Sequence, residues 1–242
     1  MSSQSQEHQR QENPWLNLGL NVIIPSVIMI KFSSDEYLGH VWGLIIALAF
    51  PISYGLYDYI RRKKTNFFSI IGLISVLLTG GIGLLKLSRD WMVIKETAIP
   101  AIMGIAIIIS GLMGKPLVRL FLKQVMELDK IDQAFKDNGH PGLFEKQMVR
   151  SNFFLSITFF ISAVLNYVLA EMILEGEPGT AVFNESLGRM TFLSFPVITL
   201  PMMVMVMAII MFLAKSIKDH TGLQLEDVIK NPDGKSVTNK TE

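Results

Sequence analysis

The sequence predicts an all-α polytopic membrane protein with six transmembrane helices and a cytoplasmic amphipathic helix between the fourth and the fifth. Three observations predict it. Half of the 242 residues are hydrophobic and only 18% are charged, a balance foreign to a soluble domain of this size. The apolar residues fall into six long runs, most of them near or above the roughly 20 residues that cross about 30 Å of hydrocarbon. The charges sit between those runs rather than mixed through them.

Residues 1–14 are rich in Gln, Ser and Glu and read as a disordered N-terminus. Their mixed charge, and the lack of a small-x-small site after the first apolar run, do not describe a cleavable signal, so that run is expected to be retained. The transmembrane domain is expected over 15–215, with spans at about 16–32, 38–60, 67–85, 91–113, 153–174 and 190–214, and a cytoplasmic tail over 216–242. The first run is short and carries Asn17, Asn21 and Pro25. It is either a span or a re-entrant or interfacial helix. The second run stops at Arg61-Arg62-Lys63-Lys64, a basic anchor.

Basic residues set the orientation. With a cytoplasmic N-terminus, the cytoplasmic segments hold Arg10, Arg61 to Lys64, Lys115, Arg119, Lys123, Lys130, Lys136, Lys146, Arg150, Lys215, Lys218, Lys230, Lys235 and Lys240. The opposite side holds only Lys31, Lys86, Arg89 and Arg189. Both termini are therefore expected in the cytoplasm. Trp15, Trp42 and Trp91 fall near span ends, where interfacial tryptophans belong.

In the 114–152 connection, Leu117, Phe121, Val125, Leu128, Ile131 and Phe135 recur every three or four positions among polar residues. This is an amphipathic helix, lying either in the headgroup region or folded back onto the bundle. Asn138-Gly139-His140-Pro141-Gly142 ends it. A short helical stretch is expected near Leu223–Ile229.

The absence of cysteine excludes disulfides, thiolate nucleophiles and Cys-ligated metals. His8, His40, His140 and His220 show no metal-ligand spacing, and the chain has no phosphate loop, nucleophile elbow or basic-aromatic nucleic-acid stripe. No cofactor is expected. Pro25, Pro51, Pro100, Pro196 and Pro201 each remove a helical hydrogen bond. Gly39/Gly43/Ala47, Ala106/Ser110/Gly114 and the Gly80-Gly81-x-Gly83 run offer small surfaces for helix contact.

The helix beginning at Trp91 is the strongest pointer to function, because Lys95 and Glu96 stand inside an apolar run. At a similar depth from the other side comes Glu171, on a stripe with Ala163 and Tyr167 and beside Asn166. A Lys95–Glu171 or Arg189–Glu171 pair is geometrically possible. On the inner side stand Asp58, Lys115 and Arg119. These charges either pair to set helix register or form a proton- or solute-handling site.

The segment GGIGLLKLSRDWMVIKETAIP, followed by SGLMGKPLVRLFL, resembles the core of the bacterial inner membrane-spanning family called intracellular septation protein A. Gly80, Gly81, Asp90, Lys95, Thr97, Lys115, Pro116, Leu117 and Leu122 match its Gly-Gly, D-x-x-x-I-K-x-T and K-P-L-I elements. Asn152, Phe159, Phe160, Asn166, Tyr167 and Ala170 match a later Asn-rich helix, and Val182-Phe183-Asn184-Glu185 sits near the family's W-V-N-F-K run without its tryptophan and lysine. The 114–152 connection is also longer than the family's. The resemblance covers about 60–195 and implies a sister family of bacterial inner-membrane proteins, acting without known catalysis in cell-envelope maintenance or septation. Expected partners are the lipid bilayer and other envelope or division membrane proteins, a homo-oligomer being compatible, with no nucleic acid. The alternative is a small-solute or ion transporter with a polar intramembrane path. Candidate functional residues are Asp58, Lys95, Glu96, Thr97, Lys115, Pro116, Asn166, Tyr167, Glu171 and Arg189.

Overall fold

The structure, a computed structural model, describes residues 18–62 and 67–230, and within them all side chains but those at 58, 59, 61, 62 and 67–69. Eight helical stretches make up almost all of it: α1 (Gly19–Phe32), α2 (Gly39–Arg62), α3 (Phe67–Leu84), α4 (Arg89–Leu112), α5 (Val118–Val125), α6 (Leu128–Asp137), α7 (Leu143–Ile173) and α8 (Ala181–Thr221). Among the described residues the only β pairing is an isolated antiparallel bridge between Met126 and Ile229.

Four helices are long and apolar enough to cross a membrane: the Gly39–Tyr57 part of α2, and α4, α7 and α8. The other two of the six expected spans are shorter apolar helices. At 1.5 Å per residue α1 is about 21 Å long, and α3, with 18 residues, about 27 Å. α1 opens with a π turn over Gly19–Ile23, next to Pro25, whose missing N–H breaks the regular ladder.

The chain forms two compact units. The first comprises residues 13–103 and 159–203. Here α1 packs against α2 and against the first half of α8, and α2 packs against α3. Its core is built from Met29, Leu44, Ala47, Met92, Ala170, Phe183 and Leu187, with further aliphatic side chains around them. Small residues bring the backbones together, as the sequence anticipates. A Cβ at Gly188 would lie 2.9 Å from the Ser26 carbonyl oxygen, one at Gly43 2.5 Å from Ser33 Oγ, and one at Gly83 would run into Leu44 Cδ2. Gly81, by contrast, faces open space.

The second unit comprises 104–158 with the chain from Val204 onward. The amphipathic stretch is two helices rather than one. Met126 and Glu127 leave helical geometry, and their backbone pairs with the tail, Glu127 N–H donating to Val228 O and Lys230 N–H to Val125 O. The short helical stretch expected near Leu223–Ile229 is one 3-10 turn, Leu225–Asp227, followed by this bridge. α6 buries Leu128, Ile131 and Phe135 within the unit, Phe135 stacking on Phe144 and His220. Of the two placements open to it, α6 therefore folds back onto protein. On α5 the buried face is Val118 and Leu122, not Leu117, Phe121 and Val125.

α7 begins ten residues before the expected span start at Phe153, and α8 runs unbroken through Arg189 apart from a π turn over Phe195–Thr199 at Pro196. Apolarity marks only the stretch of a helix that needs lipid, while packing extends it beyond.

The close approach at Gly188 gives a direct test. Gly188→Val is expected to lower stability by about 1–3 kcal/mol through overpacking against α1, read as a lower melting temperature in detergent. An unchanged melt would contradict this contact.

Candidate functional site

Three pairings in the first unit engage Arg89, Lys95 and Arg189. Arg89, the first residue of α4, reaches the end of α7. Its Nε donates to Leu174 O at 2.9 Å, and its Nη2 donates to Glu171 O at 3.0 Å and Glu171 Oε2 at 3.1 Å. The last carbonyls of a helix lack intrahelical partners and carry the negative end of its dipole. A guanidinium, with five donors in a fixed fork, can satisfy several acceptors at once. Glu171 thus pairs with Arg89, and neither Lys95 nor Arg189 is its partner. Arg189 pairs instead with Glu185, one turn earlier on α8.

Lys95 points away from solvent, with 7% of its surface exposed. Its Nζ donates to Thr79 Oγ1 on α3 at 2.7 Å and meets Glu96 Oε1 at 2.6 Å, while the Thr79 hydroxyl donates onward to Ser75 O at 3.0 Å. Adjacent helical positions do not share a face. The flexible lysine stem closes the gap, so one residue serves α3 and the next serves a cleft.

That cleft, of about 270 Å³, lies between α3, α4 and α7 and is lined by Ile71, Ser75, Glu96, Ile99, Pro100, Met103, Phe159, Ser162 and Asn166. It is largely apolar. Pro100 removes the N–H that would bond the Glu96 carbonyl four residues earlier. Asn166 turns its amide nitrogen back to Ser162 O at 2.8 Å and Ser162 Oγ at 3.3 Å. The cleft therefore presents acceptors and hydroxyls on an apolar wall, chemistry suited to a donor such as a protonated amine.

Of the sequence candidates, the cleft unites Glu96 and Asn166, with Lys95 behind them. Tyr167 is exposed. The Thr97 hydroxyl donates to Val93 O within its own helix. Lys115 and Pro116 belong to the other unit. The Asp58 side chain lies outside the described residues. Among the described residues no group of three His, Cys, Asp or Glu side chains could hold a metal ion.

Two asparagines escaped the sequence reading as structural devices. Asn184 on α8 is wholly buried, and its Nδ2 donates to His40 O at 2.6 Å and to Ser33 Oγ at 3.3 Å, tying α8 to the α1–α2 turn. Asn152 on α7 donates from Nδ2 to Ile107 O at 2.6 Å and accepts at Oδ1 from Val118 N–H at 3.1 Å, fixing the α4–α5 turn. Asn152 stands one residue before the apolar run that begins at Phe153, where an amide is costly unless paired, whereas Asn184 lies between the expected spans and carried no such signal. Arg89 and Thr79 escaped for a different reason, since only packing reveals their partners.

No family model, curated protein or solved structure matches the chain.

Lys95→Met should cost about 3 kcal/mol or more, because it strands the Glu96 carboxylate. Adding Glu96→Gln should recover much of that loss, since removing both partners leaves less unpaired charge than removing one. Thermal melts of both variants in detergent check the ordering. A double variant no more stable than Lys95→Met alone would count against the pair. Glu171→Gln should cost at most about 1 kcal/mol, because the Arg89–Glu171 pair is part-exposed at 26% and 39% of its side-chain surfaces.

Proposed function

We propose that the chain is a non-enzymatic, multi-pass protein of a bacterial inner membrane, with six spans and both termini cytoplasmic, acting in cell-envelope maintenance or septation through protein partners. The observation that carries the scaffold reading is the pairing of Lys95 with Thr79 and Glu96, together with Arg89–Glu171 and Arg189–Glu185. Lys95–Thr79 and Arg89–Glu171 cross between helices and hold them in register, while Lys95–Glu96 and Arg189–Glu185 neutralise charge within one helix. The envelope role rests on the resemblance to the septation family over about 60–195.

The six-span topology draws support from the basic residues, which fall overwhelmingly in alternate connections. The cysteine-free sequence makes a clean test. A single cysteine at Glu36 should react with an impermeant maleimide in intact cells, and one at Asp137 only after permeabilisation. The reverse pattern would invert the topology.

For the function, deletion in the source organism should alter cell length or sensitivity to osmotic and detergent stress, with rescue by the wild-type gene. Rescue by wild type and not by Lys95→Ala would tie the role to the paired charges. Absence of any phenotype would oppose the envelope reading.

The α3–α4–α7 cleft favours a second reading, transport of a small cationic or hydroxylated solute past Glu96 and Asn166. In liposomes, that reading requires flux that Glu96→Gln abolishes.

A further inference from the structure

The second unit holds a charged cleft that the paired residues of the first do not explain. α4 ends at Leu112, and the chain reverses at Gly114, whose φ is +68°. The reversal is rigidly held. Ser110 Oγ accepts from Leu117 N–H at 3.1 Å, Asn152 accepts from Val118 N–H, and a Cβ on Gly111 would lie 2.8 Å from Asn152 Nδ2. This turn therefore presents Lys115 from a fixed frame.

Around it opens a cleft of about 520 Å³, with Lys115, Arg119 and Glu145 as its charged members and Pro116, Leu117 and Leu120 as its walls, within the roughly 300–1,000 Å³ usual for small-molecule sites. Arg119 Nη2 pairs with Glu145 Oε2, and its guanidinium carbon lies 5.9 Å from the Phe144 ring centroid. The other guanidinium N–H groups, and all three of the exposed Lys115 ammonium, have no acceptor among the described residues. Two cations and one carboxylate leave the cleft with one net positive charge.

Large apolar side chains stand exposed beside these charges. Leu112 is 83% exposed, Met113 69% and Leu120 54%. They adjoin the end of an apolar helix long enough to cross a membrane, so this is where hydrocarbon gives way to headgroups. A free inorganic phosphate would have no use for such a rim, whereas acyl chains would cover it.

We propose that the Lys115–Arg119–Glu145 cleft is a binding site for the headgroup of an anionic glycerophospholipid. The phosphodiester lies between the Lys115 ammonium and the free edge of the Arg119 guanidinium, its single negative charge matching the net charge of the cleft. Headgroup hydroxyls donate to the Glu145 carboxylate, and the acyl chains run along Leu112, Met113 and Leu120.

The test uses the purified full chain, delipidated in nonionic detergent and titrated with phosphatidylglycerol or phosphatidylcholine, with bound lipid counted by native mass spectrometry. Phosphatidylglycerol should be retained in preference to phosphatidylcholine. Lys115→Ala should weaken that binding about fivefold, the expected share of one lysine near an anionic headgroup. Lys123→Ala, a control on the same helix α5, should leave it unchanged. Glu145→Gln should tighten binding by releasing Arg119, an effect that misfolding would not produce. Equal retention of the two lipids, equal weakening by Lys115→Ala and Lys123→Ala, or weaker binding by Glu145→Gln would each overturn the site. Displacement of the lipid by millimolar inorganic phosphate would overturn it too, by making the cleft a phosphate site.

Discussion

The rest of the first unit depends on the position of Lys95. A cation within an apolar helix is costly unless something takes its charge and its donors. Thr79 supplies one acceptor and Glu96 supplies the countercharge. Because Thr79 lies on α3 and Glu96 faces the cleft beside α7, satisfying one ammonium constrains both the rotation and the depth of α4. Six residues earlier on α4, Arg89 holds the end of α7 through two carbonyls and a carboxylate. One helix thereby ties down its two neighbours by polar contacts spaced along its length. Between apolar helices in lipid, where hydrophobicity does not drive association, such contacts and close packing are what remain.

The two buried asparagines follow the same logic with less charge. Asn184 joins α8 to the α1–α2 turn, and Asn152 joins α7 to the α4–α5 turn. Asn152 also accepts from Val118 N–H, a donor that the start of α5 leaves unpaired. The glycines serve the complementary need. At Gly188, Gly43 and Gly111 even a Cβ would press into a neighbour, two of these being the very polar groups that make the joints. Close backbone approach and polar satisfaction are therefore one design, in which the small residue makes room for the amide or hydroxyl.

Helical class and membrane compatibility were legible because both depend on long-range averages of apolarity, which α2, α4, α7 and α8 state without ambiguity. The length of a helix was less legible. α7 continues ten residues past its apolar stretch because Phe144, Met148 and Ser151 are buried within protein. The break between α5 and α6 depends on a strand-like pairing with residues about 100 positions away, which no local pattern encodes. Lys95 and Glu96 stood out in the sequence as charges inside an apolar run, but their partners did not. A lysine reaching a neutral threonine leaves no charge-complementary mark in the sequence. Arg89, which the sequence offered only as one of four basic residues on the outer side, is a helix-end clamp for α7, and Glu171 lies where the clamp can reach its side chain and its carbonyl together.

The central physical claim is that the intramembrane charges are engaged with one another. It is tested most directly by treating native membranes with a lipid-soluble carbodiimide, which attacks protonated carboxyl groups in apolar surroundings, and mapping the adduct by mass spectrometry. With Lys95 held against its carboxylate, Glu96 of the wild-type protein should resist modification, and Lys95→Met should make it reactive. Ready modification of Glu96 in the wild type, to the same extent as in the variant, would contradict the pairing and favour a carboxylate poised to take a proton or a solute.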